Sequence, residues 1–334
     1  MAENIEIKRD MKLIKVMAAQ VRNERVDSDK VEEAASIIRE LAQDMSPANR
    51  HQIAQLVAFT IDELQQHELD FLNQIADVKN VQLGDRPMFR VKTGGIKAYI
   101  QATGSTTARS YIADRQFSIN TKEISSRPAI NIVDLRLNRI NMADLIREAN
   151  KEITRMKLKE AETVLQAALS SGTYSTPFYA TGTGIVQATL DAQINYFRRL
   201  GNVALLGDIA AVAQLAPLTG MATSASSIGF SGNMFDENNN NGFIGKYRGC
   251  GVIAMTNAYQ DGHTSPILDT DWIYILSSDV NADQRNLKVV NEGPVYTMES
   301  QSIDDLTYEM RLDQRFGVAF VVGSIPTLGA YAIG

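Results

Sequence analysis

A chain of 334 residues exceeds the size at which one hydrophobic core usually stops growing, so two lobes are expected. With 44% hydrophobic and 22% charged residues it has an ordinary globular composition, and a net charge of −6 argues against a dedicated sequence-reading nucleic-acid protein, which carries a basic surplus. The single Cys250 leaves no intramolecular disulfide and points to a reducing compartment, while the charged opening MAENIEIKRDMKLIKVM lacks the apolar core of a secretory signal, so none is expected.

Residues 1–77 read as helical behind a charged arm, Met1 to Asp27, that shows no strong pattern. Asp29 and Glu32 stand at capping-box spacing ahead of VEEAASIIRELAQDM and predict a helix there. Ser46 as N-cap and Pro47 at the first helical position start another. Ile53, Leu56, Val57, Ile61, Leu64, Leu69, Leu72 and Ile75 carry it at helical spacing.

From Val78 to Asp134 the chain turns strand-like. MFRVKTGG, IKAYIQATG, FSINTKEI and INIVDLRL alternate or favour β-branched and aromatic residues, with turns at Gly94-Gly95 and Gly104-Ser105-Thr106-Thr107. The first two runs hold too few large apolar residues to make a core, so a ribbon built from them is stable only on another surface. Between Val78 and Ile140 eleven Lys or Arg face four Asp or Glu, which leaves the rest of the chain near −13. A chain divided in this way can lay its basic limb on the acidic surface of an identical neighbour.

NMADLIREANKEITRMKLKEAETVLQAALSSG then predicts one long amphipathic helix, with Asn141 as N-cap, Asp144 in the first turn and Gly172 past the end. Its apolar stripe is Met142, Leu145, Ile146, Ala149, Ile153, Met156, Val164, Leu165, Ala168 and Leu169. About thirty residues make a rod of about 45 Å.

Past Ser175 small residues and Gly, Ser, Thr and Asn take over. A helix from Val186 to Leu200, the strand VALLGD and a second helix DIAAVAQLA precede the strands GVIAMTN, DWIYILS, LKVVN, LTYEMRL and GVAFVVG. Helices and strands alternate without regularity, so the fold class is α+β rather than doubly wound. The uncharged stretch from Phe316 to Gly334 has the length of a membrane span, but Gly317, Gly323, Pro326 and Gly329 interrupt any helix, and it reads as buried strand.

No chemistry-bearing motif stands out. His51, His67 and His263 are far apart and lack partners at ligand spacing, whereas a metal needs three or four converging ligands. DENNNNGFIGKY has Asn241 where a calcium loop needs Gly and Tyr247 where it needs Glu, so it reads as an exposed turn. TGTGIVQAT offers Gly182 and Gly184 before a helix but neither the third glycine nor the ribose-binding acid of a dinucleotide site. Cys250 beside apolar GVIAM reads as a buried small side chain. No catalytic residue, cofactor or metal is expected. The basic ribbon, with Phe89, Tyr99 and Tyr111 among its cations, could alternatively serve a single-stranded nucleic-acid groove. The acidic remainder favours contacts between copies instead.

In this order of parts the chain resembles the major capsid proteins of tailed bacteriophages, which share the Hong Kong 97-type fold. The corresponding parts are an N-terminal arm and helices at 1–77, an extended two-stranded E-loop at 78–127, and a peripheral domain at 128–180 with a long spine helix. An axial domain at 181–310 and a return to the peripheral domain at 311–334 complete it. NGFIGKYRGCGVIAMTN and DTDWIYILSS are similar to the strand-rich axial part. The resemblance implies a non-catalytic subunit that self-assembles, as hexamers and pentamers, into an icosahedral shell around double-stranded viral DNA. It implies E-loop contacts between subunits, for which Arg86, Arg90, Lys92, Lys97, Arg109 and Arg115 are the candidates, and axial-loop contacts through Asn238, Asn239, Asn240 and Asn241. The implied partners are further copies, portal and scaffolding or decoration proteins, and packaged DNA held without sequence preference, with no membrane. The implied location is the virion capsid, assembled in the bacterial host cytoplasm. Some members join subunits by a Lys–Asn isopeptide bond. Lys92 and Lys97 lie in the corresponding loop, but no Asn and Glu match, so that chemistry is not carried over. An encapsulin-type compartment shell, an enzyme with a scattered site and a nucleic-acid-binding module remain as alternatives.

Overall fold

Three helices open the chain in the computed structural model, α1 (Ile7–Val21), α2 (Ser28–Gln43) and α3 (Pro47–Glu68). The structure describes residues 7–334 except 23, 69–71, 73–74, 93–94, 101–102, 104–105, 107, 112–113, 138, 140–141, 172–176, 220–239, 256, 258, 260–264, 278–280, 303–305 and 322–325. Helix α1 replaces the patternless arm expected before Asp27. Met17, Ala18 and Val21 are buried in one cluster with Ile53, Val57 and Ile61 of α3. Ile14, Met17, Ala18 and Val21 do sit at helical spacing, but the surrounding lysines hide the stripe until α3 is there to cover it. The capping box expected at Asp29 does not form, because α2 begins at Ser28 behind Asp27, which makes no side-chain cap. Ser46 does cap α3, accepting from the Asn49 N–H at 3.4 Å.

After α3 come strands β1 (Ala76–Val81), β2 (Met88–Lys92), β3 (Asp114–Ser118), β4 (Lys122–Ser126) and β5 (Ala129–Asn131), then the short helix α4 (Ile132–Arg136) and the long helix α5 (Met142–Ser170). The remainder is β6 (Tyr179–Gly182), α6 (Gln187–Arg198), β7 (Val203–Asp208), α7 (Ile209–Ala213), β8 (Lys246–Tyr247), β9 (Cys250–Met255), β10 (Trp272–Ser277), β11 (Leu287–Gln301), β12 (Thr307–Phe320) and β13 (Leu328–Ile333). Part of INIVDLRL, expected as strand, is α4. The Asn131 carboxamide accepts from the Val133 N–H at 2.9 Å and turns the chain into a helix.

Two sheets share α5. The five-stranded sheet has the order β1-β11-β12-β4, with β5 paired to the far end of β12. Strand β1 runs parallel to β11, and β11 pairs antiparallel with β12 through an irregularity between Glu292 and Tyr296. The six-stranded sheet has the order β6-β13-β10-β7-β9-β8. Helices α6 and α7 cover one of its faces, where Cys250 is buried. Leu165 and Leu169 of α5 pack against Leu206, Tyr274 and Leu328 on the other. Sheet membership departs from the expected domain ranges. Leu287–Gln301, placed with the axial part, forms the centre of the five-stranded sheet, whereas Leu328–Ile333, expected to return to the peripheral part, lies in the six-stranded one. Alternation reveals that a segment is a strand and not which distant strand it pairs with.

Helix α5 buries Ile146, Ile153, Lys157, Ala161, Leu165 and Leu169, a ridge of mostly four-residue steps. Met156, placed in the expected stripe, is 44% exposed, and Lys157 is inside in its stead. Polar contacts tie the same helix to the six-stranded sheet, as the Tyr274 hydroxyl and the Asp269 N–H each donate to Glu162 at 3.1 Å. Among the described residues no helix is long and apolar enough to cross a membrane.

Candidate assembly interface

Strands β2 and β3 form a two-stranded antiparallel ribbon, in register Met88 to Ser118 and Lys92 to Asp114, that belongs to neither sheet. It is narrower than the 78–127 range expected for the loop, because β1 and β4 are taken into the five-stranded sheet. Its foot is apolar. Phe89 is fully buried with Ile119 against Val290 of β11, and its ring stacks on Phe117 at 5.8 Å. The Lys79 ammonium lies 4.6 Å from the centre of the Phe89 ring and donates to the Met88 carbonyl at 2.6 Å. Lys288, wholly buried, sits 5.8 Å from the same ring while donating to Asp77 at 2.8 Å and to the Asp283 carbonyl at 2.7 Å. A ring flanked by two cations gains cation–π attraction beyond its buried area.

Both limbs of the ribbon meet one carboxylate. Glu292 Oε1 accepts the Gly84 N–H at 2.8 Å on the entering limb, and Oε2 accepts the Thr121 hydroxyl on the leaving limb. Arg315 Nη1 completes the set at 3.2 Å from Oε1. The Thr121 hydroxyl, then the Gly84 amide, hold the Glu292 carboxyl below the usual carboxylate range. Gly84 has φ +92, a left-handed conformation that glycine adopts without strain. The leaving limb then crosses β12 at Gly317, where a Cβ would come within 2.9 Å of the Asn120 carbonyl.

Beyond this foot the described large apolar residues of the ribbon are exposed. Ile96 is 74% exposed, Tyr111 is 71% exposed, and Tyr99 and Ile100 are exposed beside them. Large apolar side chains gathered in water mark an interaction surface. The two limbs are held by the Lys97 N–H donating to the Ser110 hydroxyl at 3.0 Å.

The candidate cations divide sharply. Arg86, Arg90, Lys97, Arg109 and Arg115 are all exposed on the ribbon or its approaches. Arg90 faces Asp114 at 3.8 Å, while among the described residues Arg86, Lys97, Arg109 and Arg115 make no ion pair. Lys92 closes β2 opposite Asp114, and its side chain lies outside the described residues. Elsewhere the basic surplus is quenched within the chain. Lys122 pairs with Glu160, Arg127 with Glu309 and Arg139 with Asp134, and Arg136 donates to the Ala42 carbonyl at 2.9 Å. Among the described residues of 78–140, the cations with neither an ion pair nor a hydrogen-bonded carbonyl therefore lie on the ribbon and its approaches. Asn240 and Asn241 are exposed, and Asn238 and Asn239 lie outside the described residues.

Glu292 escaped the sequence reading, and Phe89 and Gly317 were expected in other roles, as an aromatic among the ribbon cations and as a helix breaker. Glu292 is 208 residues from Gly84 and 171 from Thr121, so no local pattern connects them. The burial of Phe89 removes one aromatic from the nucleic-acid alternative, since a ring packed on Val290 cannot stack on a base. The TGTG run serves the fold, with the Val186 N–H donating to the Tyr331 hydroxyl of β13 at 2.9 Å. His51 is exposed, and His263 and the His67 side chain lie outside the described residues. Among the described residues no group of three or more His, Cys, Asp or Glu could hold a metal ion.

Comparison with known proteins gives this geometry a family. No curated protein matches the chain. Among solved structures it is similar to the asymmetric unit of the bacteriophage PhiM1 mature capsid, with 12% identity, a TM-score of 0.51, and 78% of this chain and 86% of that one covered. It is also similar to a chain from Microbacterium phage Oxtober96, with 9% identity, a TM-score of 0.52, and 77% and 89% covered. At such identities the likeness is one of fold, and the fold is the Hong Kong 97 type that the order of parts implied. A family model described as "SPbeta prophage-derived putative capsid protein YonB" matches residues 4–330. The match runs through both sheets, the ribbon and the spine helix, and this chain belongs to that capsid protein family.

Proposed function

We propose that this chain is a major capsid protein that assembles, as hexamers and pentamers, into an icosahedral shell around double-stranded DNA. The observation that carries this reading is the ribbon, docked at its foot and with its described large apolar residues exposed beyond it. A subunit complete in itself would have no use for Ile96, Tyr99, Ile100 and Tyr111 in water beside unpaired cations. Laid over a neighbour, the tip buries those side chains and the cations meet acidic surface. Such a head-to-tail contact joins two different surfaces, which is what closed rings require. Each contact would bury on the order of 1,000–2,000 Å².

In this reading the ribbon is the E-loop, the five-stranded sheet and α5 make the peripheral part, and the six-stranded sheet makes the axial part, with the exposed Asn240 and Asn241 near the rotation axis. The role is structural and no catalysis is assigned. Portal and scaffolding or decoration proteins and non-specifically held DNA are the further partners, and assembly takes place in the host cytoplasm. Electron microscopy of the purified chain tests the reading. Hollow closed shells of tens of nanometres are expected, and a population of monomers with the ribbon folded onto its own body would overturn it.

A further inference from the structure

Besides the Lys79 hydrogen bond to the Met88 carbonyl, the ribbon is attached to the body by two devices of different physical character. Phe89, Ile119 and Val290 form the apolar foot, and apolar contact has no preferred direction. A foot of this kind fixes where the ribbon sits and leaves its angle open. Glu292 supplies direction, because hydrogen bonds weaken steeply when bent. Its side chain is 6% exposed, and its two oxygens reach the entering limb at Gly84, the leaving limb at Thr121 and the body strand β12 at Arg315. Strand β11 is irregular just past this point, with the pairing register shifting between Glu292 and Tyr296 and Gly293 at φ +73. A bulge re-aims the side chains beside it, and this one lies next to the carboxylate that meets both limbs.

We propose that Glu292 is the positioning residue that sets the angle at which the ribbon leaves the body, and through it the curvature and uniformity of the assembled shell. This rests on the capsid reading above. Head-to-tail contacts in hexamers and pentamers repeat a small set of defined angles, so a ribbon that swings freely about its foot would spread the rotation per subunit beyond that set and prevent uniform closure. The consequence falls on the product of assembly and not on the fold of the subunit.

The test compares wild type with Glu292→Ala, Thr121→Val and Glu292→Gln, all as full chains. Particle diameters are read by electron microscopy, thermal melting by circular dichroism, and ribbon accessibility by limited proteolysis. Glu292→Ala and Thr121→Val are expected to melt close to wild type, to be cut within the ribbon several-fold faster, and to yield broadened diameters, open sheets or tubes. Glu292→Gln keeps one accepting oxygen and should fall between. Shells of wild-type size and uniformity from Thr121→Val, together with unchanged ribbon cleavage, overturn the proposal even where Glu292→Ala fails to fold. Absence of shells from wild type itself overturns the capsid reading instead. Ribbon cleavage then decides the clasp alone, and equal rates in wild type and Thr121→Val would sink it.

Discussion

Lys157 of the spine helix donates to Gln65 of α3 at 2.8 Å in a place where neither side chain meets solvent. Its ammonium lies 5.5 Å from the centre of the Phe316 ring, and its charge also acts on Asp62. A buried cation persists only where acceptors and opposite charge replace its water. Lys157→Ala removes that cation, leaves the buried Gln65 side-chain carbonyl without its donor and takes the nearby positive charge from Asp62. The expected loss is about 3–5 kcal/mol, measured by urea unfolding. A loss below about 1 kcal/mol would place the ammonium outside the core.

Asp62 should give the fold a measurable pH dependence. It accepts the Val295 N–H at 2.9 Å, yet burial pushes its pKa up to about 6 from an ordinary 3.8. The folded state therefore holds this proton more tightly than the unfolded chain does. The resulting stability is fully present below pH 3.8 and is lost as pH rises through about 6. Asp62→Asn should flatten that descending limb in calorimetric melts between these two values. An unchanged slope would assign it to other groups.

Phe89→Ala should detach the ribbon and spare the sheets. Removing a fully buried phenyl costs about 3–5 kcal/mol, and here the loss falls on the contact between ribbon and β11. Hydrogen exchange at residues 88–92 and 114–118 should accelerate while the five-stranded sheet stays protected. Loss of protection throughout the sheet would show that the ribbon and the body unfold together.

Gly317 tests the crossing of the leaving limb. An added methyl would meet the Asn120 carbonyl at 2.9 Å and the Ile119 side chain at 3.1 Å. Gly317→Ala should cost about 1–3 kcal/mol by overpacking in denaturant titration. A neutral result would mean that the limb does not lie on β12.

Charge reversal separates ribbon cations from quenched ones. Arg86→Glu, Arg109→Glu and Arg115→Glu together should leave thermal melting unchanged and abolish assembly in sedimentation, since none of the three has an ion partner among the described residues. Wild-type assembly should weaken as salt rises. Normal particles from the triple variant would remove these cations from the interface.

The parts legible in the sequence were those whose signal lies within one element. The spine helix shows in its apolar spacing and was found to within a few residues of Met142–Ser170. Its buried face was read less well, because steps of three and four admit both Met156 and Lys157, and only Phe316 and Gln65 across the seam favour the lysine. Helix α1 shows the same dependence, since its stripe acquires meaning once α3 lies beside it.

Composition and local pattern alone thus determined a basic, strand-like limb with a poor core of its own, followed by one long helix and a mixed α+β remainder. The tertiary structure decided which of those cations stay unpaired, which sheet receives Leu287–Gln301 and Leu328–Ile333, and that one carboxylate at Glu292 joins two limbs from far along the chain. Spacing encodes the face an element buries, because it follows from helical or strand geometry. Partners hundreds of residues away leave no periodic trace, since the contact is made by folding and not by sequence neighbours.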